Sequence, residues 1–242
     1  MHQLLVLSDI HGNVSALESV LQDVDANYSP DAAVILGDNI DYCMRSNKVL
    51  DILEEFKIPV IASLWGNHEY AIMNEDYKHF SSQRGVDSAQ YTRRNLTEHS
   101  LKYLNGIVGK KGKMEFQYCG KLFLAVHGSL ENPFWKAISI GENYQEYKKY
   151  DYVLSGHSHI SHSFPVFFET DNSEMRNKKR TVFINPGSVG QPRNHDPHAQ
   201  YAILDFSYGV VMRCVDYDIK LEQSLFMDDV DVFYRDRLEN GV

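Results

Sequence analysis

Aspartate, histidine and asparagine recur beside glycine in five short clusters of this chain. These are Ser8-Asp9-Ile10-His11-Gly12-Asn13, Gly37-Asp38-Asn39-Ile40-Asp41, Gly66-Asn67-His68-Glu69, His127-Gly128 and Gly156-His157-Ser158-His159. Carboxylate, imidazole and amide oxygen together form a ligand set for hard-to-borderline divalent ions such as Mn²⁺, Fe²⁺, Co²⁺, Ni²⁺ or Zn²⁺. Taken singly the clusters say little: an Asp-x-His or Gly-Asp-x-x-Asp is usually a solvated turn, and only the His157-x-His159 pair points to metal by itself. Taken together they say more, because four of the 11 histidines and three aspartates collect at strand ends. Burying them without a cation would leave several polar groups unpaired. A serine nucleophile at Ser8 is the alternative chemistry, but it needs a histidine free to act as base.

The elements that must position these residues follow from hydrophobic pattern. Gln3–Ser8, Ala32–Leu36 and Pro59–Ser63 read as short buried strands. Val14, Leu17, Val20, Leu21 and Val24 recur at helical spacing, as do Val49, Leu50, Leu53 and Phe56. Strand–helix–strand–helix–strand with short connections implies parallel strands covered by helices. In such sheets functional groups gather beyond the carboxyl ends of the strands, where four of the five clusters lie. Tyr70–Leu104 is polar and helical and reads as an insertion or lid. Beyond it the strands expected are Met114–Tyr118, Lys121–Val126, Tyr152–Ser155, Phe164–Glu169, Thr181–Asn185, Tyr201–Phe206 and Val210–Asp216. A short helix is expected over Glu142–Tyr150, and the polar stretch from Asp218 carries only a weak helical pattern. With no repeat and no Pro/Gly/Ser linker, one domain over residues 1–242 is expected.

The ordered set Asp-x-His, Gly-Asp-x-x-Asp, Gly-Asn-His-Glu, isolated His, Gly-His-x-His resembles the calcineurin-like metallophosphoesterase family. The Asn185-Pro-Gly-Ser-Val-Gly-Gln-Pro-Arg193 segment is similar to its compact bacterial and archaeal phosphodiesterase branch. The resemblance implies an α/β fold, a four-layer α-β-β-α sandwich of two mixed sheets with a helical insertion around residues 70–112. It implies two divalent ions, Mn²⁺ foremost, with Fe, Zn, Ni or Co possible. Asp9, His11 and His159 would hold one ion, Asn67, His127 and His157 the other, and Asp38 would bridge them. Such a pair lowers the pKa of a shared water and clamps phosphoryl oxygens, so that hydroxide attacks in line without a protein nucleophile. His68 would act as general acid on the leaving oxygen, with Asp41 orienting and charging it.

The pattern departs from the Ser/Thr protein phosphatases of the same superfamily. Where those carry arginines, this chain has Tyr42-Cys43 and Trp65. Arg193 is then the candidate for gripping phosphate; Asn67 and Ser188 are further candidate substrate-binding residues, with Asn185 and Gly187 beside them. His195 and His198 match no ligand element. The basic run Arg176-Asn-Lys-Lys-Arg180 reads as a solvated hairpin tip, with polyanion recruitment as the sharper alternative.

Composition sets the outer bounds. The 242 residues are 43% hydrophobic and 24% charged, and 24 Lys and Arg stand against 33 Asp and Glu, for a net charge of −9. That is globular composition, and the acidic balance opposes stable binding to long nucleic acid. Three scattered cysteines, Cys43, Cys119 and Cys214, make no disulfide framework. No window suits a membrane helix or a signal peptide, so a cytoplasmic location is expected, with no membrane partner. The expected function is hydrolysis of small phosphate esters, most of all phosphodiesters. The alternatives are a phosphomonoesterase or protein phosphatase, a dinucleoside-polyphosphate hydrolase and, outside enzymes, a non-catalytic scaffold. The oligomeric state is open.

Overall fold

The computed structural model describes residues 2–242. Its first sheet is built on β1 (Gln3–Leu7), β2 (Ala32–Ile35), β3 (Val60–Ser63), β9 (Ala199–Asp205) and β10 (Gly209–Val215), in the order β10-β9-β1-β2-β3. β1, β2 and β3 run parallel, while β9 and β10 join antiparallel. The second sheet contains β4 (Lys113–Tyr118), β5 (Lys121–Val126), β6 (Tyr152–Ser155), β7 (His162–Glu169) and β8 (Lys178–Asn185), in the order β4-β5-β6-β8-β7. Its central β5, β6 and β8 are parallel and its edges antiparallel.

The period of two in a strand explains how the sheets are glued. Leu4 and Val6 of β1, with Val34 and Ala62, face Phe123, Ala125, Leu154 and Ile184 of the second sheet. Leu5 and Leu7 point the other way, onto Leu17 and Val20 of α1 (Val14–Asn27) and Val49 and Leu53 of α2 (Ser46–Glu54). This is the expected sandwich of two mixed sheets with helices outside. The helical middle forms α3 (Asn67–Asn74), α4 (Gln83–Asn95) and α5 (Glu98–Gly106). They gather Ile72, Ala89 and Leu104 around Trp65.

Two expectations need correction, and a third gains detail. Glu142–Tyr150 forms only a single 3₁₀ turn, Gln145–Tyr147. Tyr144 and Tyr147 both lie against Phe183 of β8, and the tighter turn aligns residues three apart, as an α-helix does less closely. Lys178–Arg180 are strand, paired with Phe167–Glu169, so the hairpin tip is Thr170–Asn177 and only part of the basic run lies in it. The tail is helical in two pieces, α6 (Ile219–Ser224) and α7 (Val232–Asn240). Its weak periodicity has a cause: Glu222, a buried carboxylate, anchors α6 by pairing with Arg45 and accepting from the Ser15 backbone. No helix among the described residues is long and apolar enough to cross a membrane. Cys43 is buried, Cys119 and Cys214 exposed, and all three are free.

Candidate metal centre and acid dyad

The loops after β1, β2 and β8 are laced together by main-chain hydrogen bonds. Asp9 N–H donates to Gly37 O, His11 N–H to Asp38 O and Gly12 N–H to Asn39 O, at 2.9–3.0 Å. Val189 N–H donates to Ser8 O and Gly190 N–H to Asp9 O, both at 3.0 Å. Glu69 adds a third tie, its buried carboxylate accepting from the backbone N–H groups of Asp38 (2.8 Å), Asn39 (2.6 Å) and Gly66 (2.8 Å). Gly66 is required where it sits: a Cβ there would stand 2.1 Å from Asp38 Oδ1.

The strand-end residues carry unusual backbones. Asp9, His11, Asp38, His157 and His159 all have left-handed φ between 49° and 63°, and Asp41 has 78°. Such conformations cost of order 1–3 kcal/mol each and persist where the surroundings enforce them. Here they turn successive side chains inward toward one point.

At that point Asp9, His11, Asp38 and His159 bring one ligand atom each within 4.8 Å of one another, and Asp38, His127 and His157 do the same. Asp38 belongs to both groups. Its Oδ2 lies 3.3 Å from His127 Nε2 and 3.7 Å from His11 Nε2, while Oδ1 accepts the His68 backbone N–H at 2.9 Å. Asn67 Oδ1 stands 3.0 Å from His127 Nε2 and 2.9 Å from His157 Nδ1. The seven expected ligand residues therefore converge.

Hydrogen bonding fixes what they present. Nδ1 of His11, His127 and His159 donates to the carbonyls of Ile40 (3.1 Å), Leu36 (2.9 Å) and Gln191 (2.5 Å). Nε2 of each neutral ring is then a bare lone pair aimed at the cluster. His11 Nε2 and His159 Nε2 face each other at 3.2 Å, and Asp9 Oδ1, 3.1 Å from the latter, is buried with no hydrogen-bond donor. Electron pairs crowded in this way call for cations, and the donor set fits divalent ions with mixed nitrogen and oxygen ligands. The environment also shifts the ionisation of these rings. Burial holds His11 well below its usual range and drives His157 down to about 3. His127 goes the other way: burial opposes its charge, but Asp38 outweighs burial and lifts it to about 9. An ion held there would displace that proton, leaving Nε2 of His127 as a ligand.

His68 stands beside this centre. Its Nδ1 is 2.6 Å from Asp41 Oδ2, and its Nε2 is 4.0 Å from Asp38 Oδ2. Asp41 Oδ1 in turn accepts from Ser88 Oγ (2.6 Å) and Thr92 Oγ1 (2.9 Å) of α4. Burial presses the His68 pKa down, but the charges of Asp38 and Asp41 more than compensate and leave it raised. The inserted helices thus hold the carboxylate that holds the imidazole.

A cavity of about 220 Å³ opens over the cluster, lined by Asp38, Asn67, His68, His157 and His159 below and by Tyr42, His79, Phe80, Ser81, Trp135 and Arg193 around it. Arg193 and Asn67 are therefore where substrate could reach them. Ser188 is not: fully buried, its hydroxyl donates to Asp9 O (2.7 Å) and accepts from Gln191 N–H (2.8 Å), so it shapes the loop. Asn185 likewise spends its amide on Gly156 O and Ser158 Oγ. Trp65 points away, its indole N–H donating to Leu104 O at 2.9 Å. His198 lies between Asp196 and Asp216, in no candidate metal cluster among the described residues. Sequence reasoning missed Ser88, Thr92, Gln191 and the aromatic wall. Gln191 lies within the Asn185–Arg193 segment and Tyr42 directly follows the Gly37–Asp41 cluster, but neither type of residue signals its role there; Ser88, Thr92, Phe80 and Trp135 lie in no motif, and only the fold brings them near.

The calcineurin-like phosphoesterase superfamily domain matches residues 2–209. An uncharacterized protein of Methanocaldococcus jannaschii is 27% identical over 232 residues, covering 90% of this chain and 88% of its own. The solved structure of a metallophosphoesterase from Sphaerobacter thermophilus superposes with a TM-score of 0.76 at 25% identity, covering 100% of this chain and 99% of that one. A hypothetical protein from Pyrococcus horikoshii shares the fold, with a TM-score of 0.77, 20% identity and coverage of 100% and 99%.

Proposed function

The chain belongs to the calcineurin-like phosphoesterase superfamily and is a metal-dependent phosphohydrolase, and from that premise we propose that it cleaves small phosphodiesters. Asp9, His11 and His159 would hold one divalent ion, Asn67, His127 and His157 a second, with Asp38 shared. Ions so held lower the pKa of water for attack and draw charge from the phosphoryl oxygens.

The observation that carries the diester reading is the charge of the cavity wall. Arg193 is its one guanidinium or ammonium, and Tyr42 stands where a protein phosphatase would place an arginine. A single guanidinium matches the single negative charge of a diester better than the double charge of a monoester. Arg193 makes no ion pair among the described residues and its Nε is buried without an acceptor there, so it can grip a phosphoryl oxygen. Asn67, at the cavity floor, faces the same oxygens. His68 delivers a proton from Nε2 to the leaving oxygen, and Asp41 keeps the Nδ1 proton in place so that Nε2 faces the cavity. His68 is 3% exposed, so the proton it holds is shielded from bulk water.

The test is to strip the protein with chelator, restore Mn²⁺, Fe²⁺, Co²⁺, Ni²⁺, Zn²⁺ or Mg²⁺ singly, and compare bis(4-nitrophenyl) phosphate with 4-nitrophenyl phosphate. A higher kcat/KM on the diester, lost without metal, is expected. Preference for the monoester with any restored ion refutes the diester assignment.

A further inference from the structure

Two half-buried rings from separate loops meet over the candidate centre. Phe80 comes from the segment between α3 and α4, and Trp135 from the turn that follows β5 and His127. Their centroids lie 5.7 Å apart with planes at 81°, so they form a right-angled corner. His79 flanks the indole at 5.3 Å, and Phe80 meets the edge of His68 at 5.1 Å. The corner therefore adjoins the imidazole proposed to serve the leaving oxygen.

The turn that carries the indole is held by its backbone and by its neighbour. Asn132 Oδ1 accepts from the backbone N–H of Trp135 at 3.1 Å, and Gly128 N–H donates to Pro133 O at 2.7 Å. Phe134 packs on Tyr70 of α3 at 4.6 Å and against Gly112, where any Cβ would stand 2.8 Å from its ring. The two half-buried rings thus set a small apolar surface beside a polar floor.

A polar floor that takes a phosphoryl group lies beside an aromatic corner within one cavity of about 220 Å³. That is smaller than the roughly 300–1,000 Å³ of a typical drug-sized site, so the enclosed space suits a phosphoryl group and one ring. We infer that the substrate class is phosphoesters bearing a planar aromatic ring joined to the phosphate directly or through one carbon, the ring seated in the Phe80–Trp135 corner. This rests on the phosphoesterase reading and narrows it. A flat ring lies face-on to one wall and edge-on to the other, the two arrangements aromatic pairs favour. A puckered ring of the same size can touch both walls through its C–H groups but gains none of that aromatic pairing.

The test uses benzylphosphonate and cyclohexylmethylphosphonate, which have no ester bond to cleave, titrated calorimetrically into the Mn²⁺-loaded protein. The cyclohexyl ring is the more apolar, so a merely greasy wall would favour it. The corner should bind benzylphosphonate about three- to tenfold tighter, the range that aromatic pairing supplies. Trp135→Leu should bring the ratio to about one, and Phe80→Leu should lower it, which keeps the test available if either variant fails to fold. Equal affinities in the unaltered protein, a preference for the cyclohexyl ligand, binding of neither, or a ratio indifferent to both substitutions would each overturn the inference. Should the benzyl preference stand while benzyl methyl phosphate is not hydrolysed, the corner is right and the catalytic reading is wrong.

Discussion

Removing the His68 imidazole should separate good leaving groups from poor ones. In His68→Ala the backbone N–H that donates to Asp38 Oδ1 at 2.9 Å survives, so both metal groups keep their geometry and metal content should not change. A general acid contributes about 10²- to 10⁴-fold, or roughly 2.7–5.4 kcal/mol of barrier. That loss should fall on alkyl methyl phosphates, whose leaving alkoxides need a proton. Esters of 4-nitrophenol, whose anion leaves unprotonated, should slow only a few-fold. The companion Asp41→Asn keeps the volume held by Ser88 and Thr92 but removes the charge 2.6 Å from Nδ1. A hydrogen bond to a charged group contributes about 1.5–3 kcal/mol, so roughly ten- to 150-fold should be lost, again on poor leaving groups. The pH profile carries a second signature. His68 acts while protonated, so activity falls as pH rises through its pKa, which Asp41 holds up by its charge and hydrogen bond. Ions held by Asp38 would offset the pull of that carboxylate, whereas Asp41 raises the imidazole's pKa with or without them. Asp41→Asn should therefore move the alkaline limb to lower pH. The assay is kcat/KM against leaving-group pKa with metal content measured in parallel. Equal losses across the series, or an unmoved alkaline limb, would refute the acid role.

Further predictions follow from the same contacts. Asp38→Asn removes the carboxylate common to both ligand groups; elemental analysis should find at most one tightly held ion per chain and activity should fall more than about 10²-fold, whereas two retained ions would contradict sharing. Gly66→Ala sets a methyl 2.1 Å from Asp38 Oδ1; the strained loop should lose about 1–3 kcal/mol in denaturant titration together with metal affinity, and unchanged affinity would show that Asp38 can move freely. Glu222→Ala strips Arg45 of its partner and the Ser15 N–H of its acceptor, costing about 2–4 kcal/mol, a little under a fully buried pair because Arg45 is 27% exposed; a change under about 0.5 kcal/mol would mean that α6 does not anchor the tail. Asp23 accepts from Tyr201 and Arg213, and its pKa is lowered despite the opposing pull of desolvation. Its stabilisation is present above the unfolded-state carboxylate pKa and is lost as pH falls through the lower folded value. Arg213→Ala should flatten that acid limb of stability, and an identical limb in the variant would assign it to other carboxylates.

The strands were legible because each is a short run of apolar residues with a turn at its end. Gln3–Leu7, Ala32–Ile35 and Tyr152–Ser155 are buried along nearly their whole length on both faces, so each reads as a continuous apolar run rather than an alternating one. Less legible were segments whose form depends on a distant partner. The 3₁₀ turn at Gln145–Tyr147 follows the outer face of β8, and the strand start at Lys178 follows its pairing with Glu169.

By itself the sequence determined which atoms can act: carboxylates, imidazoles and an amide set beside glycine at strand ends, a donor chemistry that residue type alone decides. It also determined the order of strands and helices, since period and length are local properties. Only the tertiary structure decided how those atoms stand toward one another. Carbonyls of Leu36, Ile40 and Gln191 choose the bare nitrogen of each imidazole, Ser88 and Thr92 hold Asp41, and Ser188 is turned away from the cavity. The reason is that hydrogen bonds and ring contacts act over a few ångströms. Residues 47 or 148 positions apart in the chain meet only after two sheets and an inserted helix have packed.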